Sequence, residues 1–227
     1  MPLSLYFNDR QLPSFVRVNG IQVQVLPNEE NQKKVTVSFY IHRRQLISND
    51  QIDEFATWLQ GNNFEPSPLI LPNDLTSYYL AKVDNIVDID GSITRGEGKI
   101  EFLCVKSQRI SLTSNQQSFT DSSLIHYMGN RKTSPILRFI ILSQTSEIKL
   151  NVQNQAYNNF IRLVGHFNEN QVIEVDMGTK KVSVDGVVKM SILTLDSFFH
   201  GIVPGENRYE LSQGNCRVEV SWFDEFI

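Results

Sequence analysis

The spacing of the apolar residues constrains this chain most: in run after run they alternate with polar ones. A period of two puts apolar side chains on one face of an extended strand, and that face must find a second layer to bury it. Val35, Val37, Phe39 and Ile41 alternate across Lys33 to Ile41, and Val218, Val220 and Trp222 across Arg217 to Phe223. Val16 and Val18 precede Asn19-Gly20, and Ile21, Val23 and Val25 follow it. Asn-Gly readily takes positive φ at two successive positions, so the sequence predicts a tight type I′ hairpin there. Leu80 to Val83 and Lys99 to Val105 add strands to the first half. The second half offers Ile136 to Leu142, Ile148 to Val152, Phe160 to Val164, Val172 to Val175, Val182 to Val184 and Arg208 to Leu211. Asp185-Gly186 is a second tight-turn signal, and Gly165, Gly178, Gly201 and Gly214 punctuate the rest. Many short strands with turns between them predict a β-sandwich or jelly roll.

One segment departs from this period. Between Ser48 and Gly61, the residues Ile52, Phe55, Ala56 and Leu59 fall at helical spacing and predict a buried stripe. Ser48 with Gln51 fits a capping box, Asp50, Asp53 and Glu54 suit the positive end of the helix dipole, and Gly61 suits the C-terminal stop. Thr113 to Ser123 is almost wholly polar and reads as a linker. The expected organisation is therefore mainly β: an α+β domain over 1–112 with one clear helix, a linker over 113–130, and an all-β sandwich over 131–227.

Composition narrows function chiefly by exclusion. With 41% hydrophobic and 20% charged residues, the chain can build a core and is not intrinsically disordered. The net charge of −4 divides evenly, −2 on either side of residue 112, so no basic half or arm exists to hold phosphates. His42-Arg43-Arg44 is a basic cluster too short for a nucleic-acid footprint. Cys104 and Cys216 read as buried small hydrophobes rather than a disulfide framework. The N-terminus lacks the pattern of a signal peptide, and no apolar run approaches a membrane span. Synthesis in a cytosol is the expectation.

Motifs for chemistry are mostly missing. His42, His126, His166 and His200 stand far apart, without metal-site spacing, and no phosphate loop, dinucleotide fingerprint or nucleophile elbow occurs. Gly96-Glu97-Gly98 is too short for one. Asp84, Asp88, Asp90, Gly91 and Glu97 partly fit a calcium loop, but Ile86 occupies its first ligand position, so a solvated turn between strands is expected. His166 and Asn168 share one face of an extended segment, as sugar-binding side chains do in sandwich lectins, although Asn170 stands where a partner arginine is wanted. Trp58, Trp222, Tyr78 and Tyr79 read as core or interface rather than an exposed stacking surface. No catalytic residue, metal or cofactor is assigned.

The order of the pieces says more than any one of them. Ala56-Thr57-Trp58-Leu59 is followed by Pro68-Leu69-Ile70, by Asp74 to Val83 with Tyr78-Tyr79, and by Gly96 to Cys104. Ser197-Phe198-Phe199 and Pro204-Gly205-Glu206-Asn207 come near the end. In this order the chain resembles the distal tail protein family of long-tailed phages and prophages of Gram-positive bacteria. The resemblance implies a non-enzymatic hub at the virion tail tip. Its N-terminal domain would form a hexameric homo-oligomeric ring, and its C-terminal domain a galectin-like sandwich. It further implies as partners the tail tube protein, a tail-associated lysin or spike and, in some phages, a receptor-binding protein. Membrane and specific nucleic acid are not among them. Trp58, Leu59, Tyr78, Tyr79, Pro204, Gly205 and Asn207 would be structural motif residues. The alternative is a carbohydrate-binding adhesion module contacting host cell-wall glycan through His166 and Asn168.

Overall fold

Antiparallel pairing builds nearly everything in the chain. The computed structural model describes residues 4–27, 32–42, 47–92 and 95–227. It divides into two compact units, Met1–Leu112 with Ile227 and Thr113–Phe226. In the first unit the elements are β1 (Tyr6–Phe7), β2 (Arg10–Gln11), β3 (Val16–Val25), β4 (Lys33–His42), α1 (Asn49–Gln60), β5 (Ser67–Leu71), β6 (Asp74–Ser92) and β7 (Arg95–Cys104). The strands order as β3-β4-β7-β6-β5-β1-β2, and each neighbouring pair is antiparallel. The next strand, β8 (Arg109–Phe119), contains the boundary between the units.

Asn19-Gly20 does not turn the chain. β3 runs straight through it, and the register with β4 shifts by one residue between Val18 and Gly20. The apolar set changes parity at that point, from 16 and 18 to 21, 23 and 25. A bulge absorbs the extra residue and keeps all five on one side, opposite Ile41, Phe39, Val37, Val35 and Lys33. A hairpin would have required positive φ, which Gly20 does not have. The chain instead reverses between Leu26 and Gln32, where the Leu26 N–H donates to the Gln32 carbonyl at 2.7 Å.

Helix α1 forms where expected, with the Gln51 side chain accepting the Ser48 N–H at 3.2 Å and Gly61 at φ 57° ending it. Its buried face is Phe55, Trp58 and Leu59, while Ala56 is exposed and Ile52 is 54% exposed. The helix is rolled toward Trp58 because the indole holds more apolar surface than Ile52 and Ala56 offer, and its N–H finds the Arg10 carbonyl at 2.9 Å. Phe7 and Phe102 stand edge-on to Trp58, with centroids 5.8 and 6.3 Å away, and Phe39 is edge-on to Phe55 at 5.5 Å. This aromatic cluster joins the helix to β1, β4 and β7.

Asp84 through Gly91 lies along β6 rather than in a turn. Asp84 sits 3.6 Å from the Lys34 ammonium, which also holds Glu101 at 2.9 Å. The side chains of Asp88 and Asp90 lie outside the described residues, as do Arg43, Arg44 and the His42 side chain.

The second unit is a β-sandwich. Its strands are β9 (Ser122–Tyr127), β10 (Ile136–Ile141), β11 (Thr145–Asn154), β12 (Asn158–Phe167), β13 (Val172–Asp176), β14 (Lys181–Val184), β15 (Val187–Val188), β16 (Gly205–Gln213) and β17 (Cys216–Phe226). One sheet runs β15-β14-β13-β10-β17-β8 and the other β12-β11-β16-β9. Phe139, Val175 and Val218 of the first sheet share one core with Leu150, Leu163 and Tyr209 of the second. Asp185-Gly186, with φ of 48° and 81°, makes the expected two-residue turn between β14 and β15.

The polar stretch from Thr113 to Ser123 is strand rather than linker: it carries the end of β8 and the start of β9. Its polarity is that of outward faces with cross-strand partners. Asn115 donates to Asp224 at 3.0 Å and Gln116 to Glu219 at 3.3 Å, while Phe119 and Ile125 turn into the core. Among the described residues no helix is long and apolar enough to cross a membrane.

The roll of α1 is testable by urea unfolding of two variants. Trp58→Ala should cost about 3–5 kcal/mol, as large-to-small changes in an aromatic core do. Ile52→Ser should stay within about 0.5 kcal/mol of the parent, as exposed positions do. Equal losses would mean that the helix buries the stripe its sequence suggests.

Candidate functional site

The motif residues turn out to be fold-makers. Trp58 and Leu59 lie in the core, Tyr79 is buried with the Lys33 ammonium 5.4 Å from its ring centre, and Tyr78 is half-buried. Near Tyr79, burial alone would raise the Asp74 carboxyl. The hydroxyls of Ser77 and Thr76, the Thr76 N–H and the Arg109 guanidinium outweigh that and hold it at about 2. Gly205 takes φ 91°, which suits glycine, and Pro204 precedes it. Asn207 is fully buried. Its amide NH2 donates to the carbonyls of Val203 at 2.8 Å and Gly205 at 3.2 Å, and its oxygen accepts the Val203 N–H at 3.1 Å and the Asn154 amide at 3.1 Å. Asn154 in turn caps the N–H groups of Ala156 and Tyr157 at 2.9 and 3.0 Å. The two asparagines thus tie the β11–β12 turn to the start of β16.

Among the described residues the histidines do not converge. His126 is exposed, 3.9 Å from Glu206, and His166 is exposed beside Gln144 at 3.2 Å. His200 is buried between the rings of Tyr157 and Tyr209, with centroids 6.2 and 5.8 Å away, and its Nδ1 lies 3.3 Å from the Phe198 carbonyl. Its Nε2 and the Tyr209 hydroxyl are buried without a hydrogen-bond partner. Burial lowers the imidazole strongly, the Phe198 carbonyl raises it a little, and the Lys132 ammonium lowers it again, leaving it at about 4. Among the described residues no three His, Cys, Asp or Glu side chains are grouped to hold a metal.

His166 and Asn168 both face solvent, His166 near the end of β12 and Asn168 just after it. The Asn168 backbone joins a turn closed by Gln171, whose side chain accepts its N–H at 2.8 Å. A groove of about 390 Å³ lies elsewhere on the same sheet, lined by Asn151, Gln153, Asn158, Phe160, Arg208 and Glu210. Strand register sets these as two rows across the outer face. Phe160, Asn151 and Glu210 form one row, and Asn158, Gln153 and Arg208 the other. Sequence reasoning missed this groove, because its residues are ordinary polar positions until three strands are placed side by side.

Exposed apolar side chains of the first unit include some on β3 and on α1. Among the described residues β3 pairs with β4 alone and forms a sheet edge, and its Val23 and Val25 are 43% and 55% exposed. Ile52 stands on the outer side of α1.

Residues 128–226 match the family described as siphovirus-type tail component, C-terminal domain. That match lies within the second unit, which is thus similar to this tail-component domain. The resemblance to distal tail proteins read from the ordered motifs is borne out. Over its whole length the chain shares the fold of the SPP1 Dit (gp 19.1) protein, with a TM-score of 0.79 at 12% identity and 99% of each chain covered. A chain of the phage P2 baseplate in its activated conformation with Ca aligns with a TM-score of 0.50 at 9% identity, over 99% of this chain and 98% of that one. No curated protein matches the chain by sequence. At such identities the likeness to the solved structures is one of fold.

The buried histidine sets a pH dependence for the second unit. Between the ordinary 6.5 and about 4, the unfolded chain binds a proton at His200 that the folded chain does not. Stability from the neutral imidazole is therefore complete above about 6.5 and is lost as pH falls toward 4. Thermal unfolding of the second unit should decline as pH drops from 6.5, and His200→Phe should flatten that decline. An unchanged slope in the variant would show that His200 does not titrate this way.

Proposed function

We propose that this chain is a structural hub of the phage tail tip, joining the tail tube to the baseplate or its fibre and lysin components. The observation that carries the reading is the tail-component match over residues 128–226. The whole-chain likeness in fold to SPP1 Dit supports it. That protein is described as a paradigm of hub adsorption apparatus in phages that infect Gram-positive bacteria. The hub works as a ring of copies of this chain, six in the family it resembles, with the first unit forming the ring. A closed ring needs two different patches that meet head to tail. The unpaired edge of β3 with Val23 and Val25, and the outer side of α1 with Ile52, are such patches. Its partners are the tail tube protein, the tail-associated lysin or spike and receptor-binding proteins. The role calls for no catalytic group. A net charge of −4 without a basic region suits a passage that conducts DNA without holding it. His166 and Asn168 lie outside the groove on their own sheet and do not favour an adhesin as the chain's main role.

Light scattering on the eluting protein tests the ring. The account expects a mass near six times the 26.0 kDa of one chain. Ile52→Glu combined with Val23→Lys should shift it toward the single chain while leaving the folded spectrum intact. A chain that stays monomeric at about 100 μM, where mass action favours assembly, would contradict self-assembly through the first unit.

A further inference from the structure

We infer that the groove on the outer face of the β12-β11-β16-β9 sheet is a binding site for a neutral oligosaccharide. This inference stands on the second unit alone and does not depend on the hub reading. Arg208 and Glu210 lie two residues apart on β16 and so point the same way, each beside an amide of β11: Gln153 next to Arg208 and Asn151 next to Glu210. On β12, Asn158 and Phe160 complete the two rows. No hydrogen bond or ion pair consumes these polar side chains among the described residues. The outer face of the other sheet is different. There Arg138 reaches Glu219 at 3.3 Å and Glu174 at 3.9 Å, and Arg217 holds Glu219 at 3.4 Å. At the far end of the groove sheet, Arg162 is likewise held by Glu147 at 2.6 Å. Between those paired regions, free donors and acceptors converge in the groove.

The chemistry of the lining selects the ligand. Each amide carries a donor and an acceptor, Arg208 offers a planar fork of donors, and Glu210 accepts two donors at once. Vicinal sugar hydroxyls present matching donor–acceptor pairs. Phe160 provides an apolar ring for the C–H face of a sugar, its electron density drawn on by the Lys149 ammonium 4.5 Å from its centre. The groove's volume lies within the range of small-ligand sites. A second hollow of about 640 Å³ shares Gln153 and Arg208 and reaches Leu124, Pro204 and Glu206, which extends the track across β9. Arg208 and the Lys149 ammonium beside Phe160 are met by Glu210 and, in the second hollow, by Glu206, so an anionic wall polymer would meet repulsion as well as attraction. The site is a sheet face, where a peptide cannot add as a strand, and it has no deep apolar pocket for an anchor residue.

The full chain, fluorescently labelled, would be passed over an array of neutral cell-wall and plant oligosaccharides, and the best-retained tetrasaccharide titrated calorimetrically. At least one neutral oligosaccharide should be retained. Its affinity should survive about 0.5 M salt, which shortens electrostatic reach to a few ångströms. Arg208→Ala, Glu210→Gln and Phe160→Ala should each weaken it about tenfold, a loss of about 1.4 kcal/mol. His166→Ala and Asn168→Ala should leave it unchanged, and all five variants should melt with the parent. Retention of no neutral sugar overturns the inference. So does binding that collapses with salt, which marks an anionic polymer, and so does loss in the His166 or Asn168 variant with none in the groove variants.

Discussion

Both units depend on strict side-chain alternation held in register against a neighbouring strand. Because the period is two, a slip of one residue would turn a strand's whole apolar set to water. In the first unit the sequence itself contains such a slip, at Asn19-Gly20, and the bulge opposite Phe39 and Ser38 corrects it. Further shifts between Val83 and Asn85 and between Val87 and Asp90 let β6 follow β7 along its length. In the second unit plain alternation keeps Ile148, Leu150 and Val152 on the core side of β11, and the one shift against β12, between Thr145 and Glu147, falls before them. Where register holds, Phe39, Phe102 and Trp58 meet in one unit, and Phe139, Leu163 and Tyr209 share the core of the other.

Much of this was legible in the residues. Val35 to Ile41 and Val218 to Trp222 announced their strands through alternation alone, and Ser48, Gln51 and Gly61 marked the ends of the helix. Two dipeptides of the same kind had opposite fates. Asp185-Gly186 turns the chain because β14 and β15 pair with each other across it. Asn19-Gly20 does not, because the residues on both sides of it pair with β4. Local chemistry permits a turn at either place, and the partner strand decides. The polar run after Thr113 misled for a related reason. A strand whose outward side chains bond across to Asp224 and Glu219 has the composition of a loop.

The site was less legible than the fold. His166 lies on the same strand as Phe160 of the groove, but Arg162 and Val164 lie between them. What distinguishes the groove is that Asn151, Gln153, Arg208 and Glu210 stand side by side, a fact of register between strands more than fifty residues apart in sequence. The quoted motifs, by contrast, mark the structural joints. Asn207 ties the start of β16 to the β11–β12 turn, and Trp58 ties α1 to Arg10. A few such buried, fully bonded groups on an alternating background are enough to specify the architecture shared with SPP1 Dit at 12% identity.

The central claim is that this chain sits where a tail tube ends. Electron cryo-microscopy of intact tails tests it most directly, by fitting the two units into the map without prior placement. Six copies are expected around the tail axis at the distal end of the tube, the first unit closing the ring. Tails whose distal ring is occupied by another protein, or in which this chain is found along the tube or not at all, would contradict it.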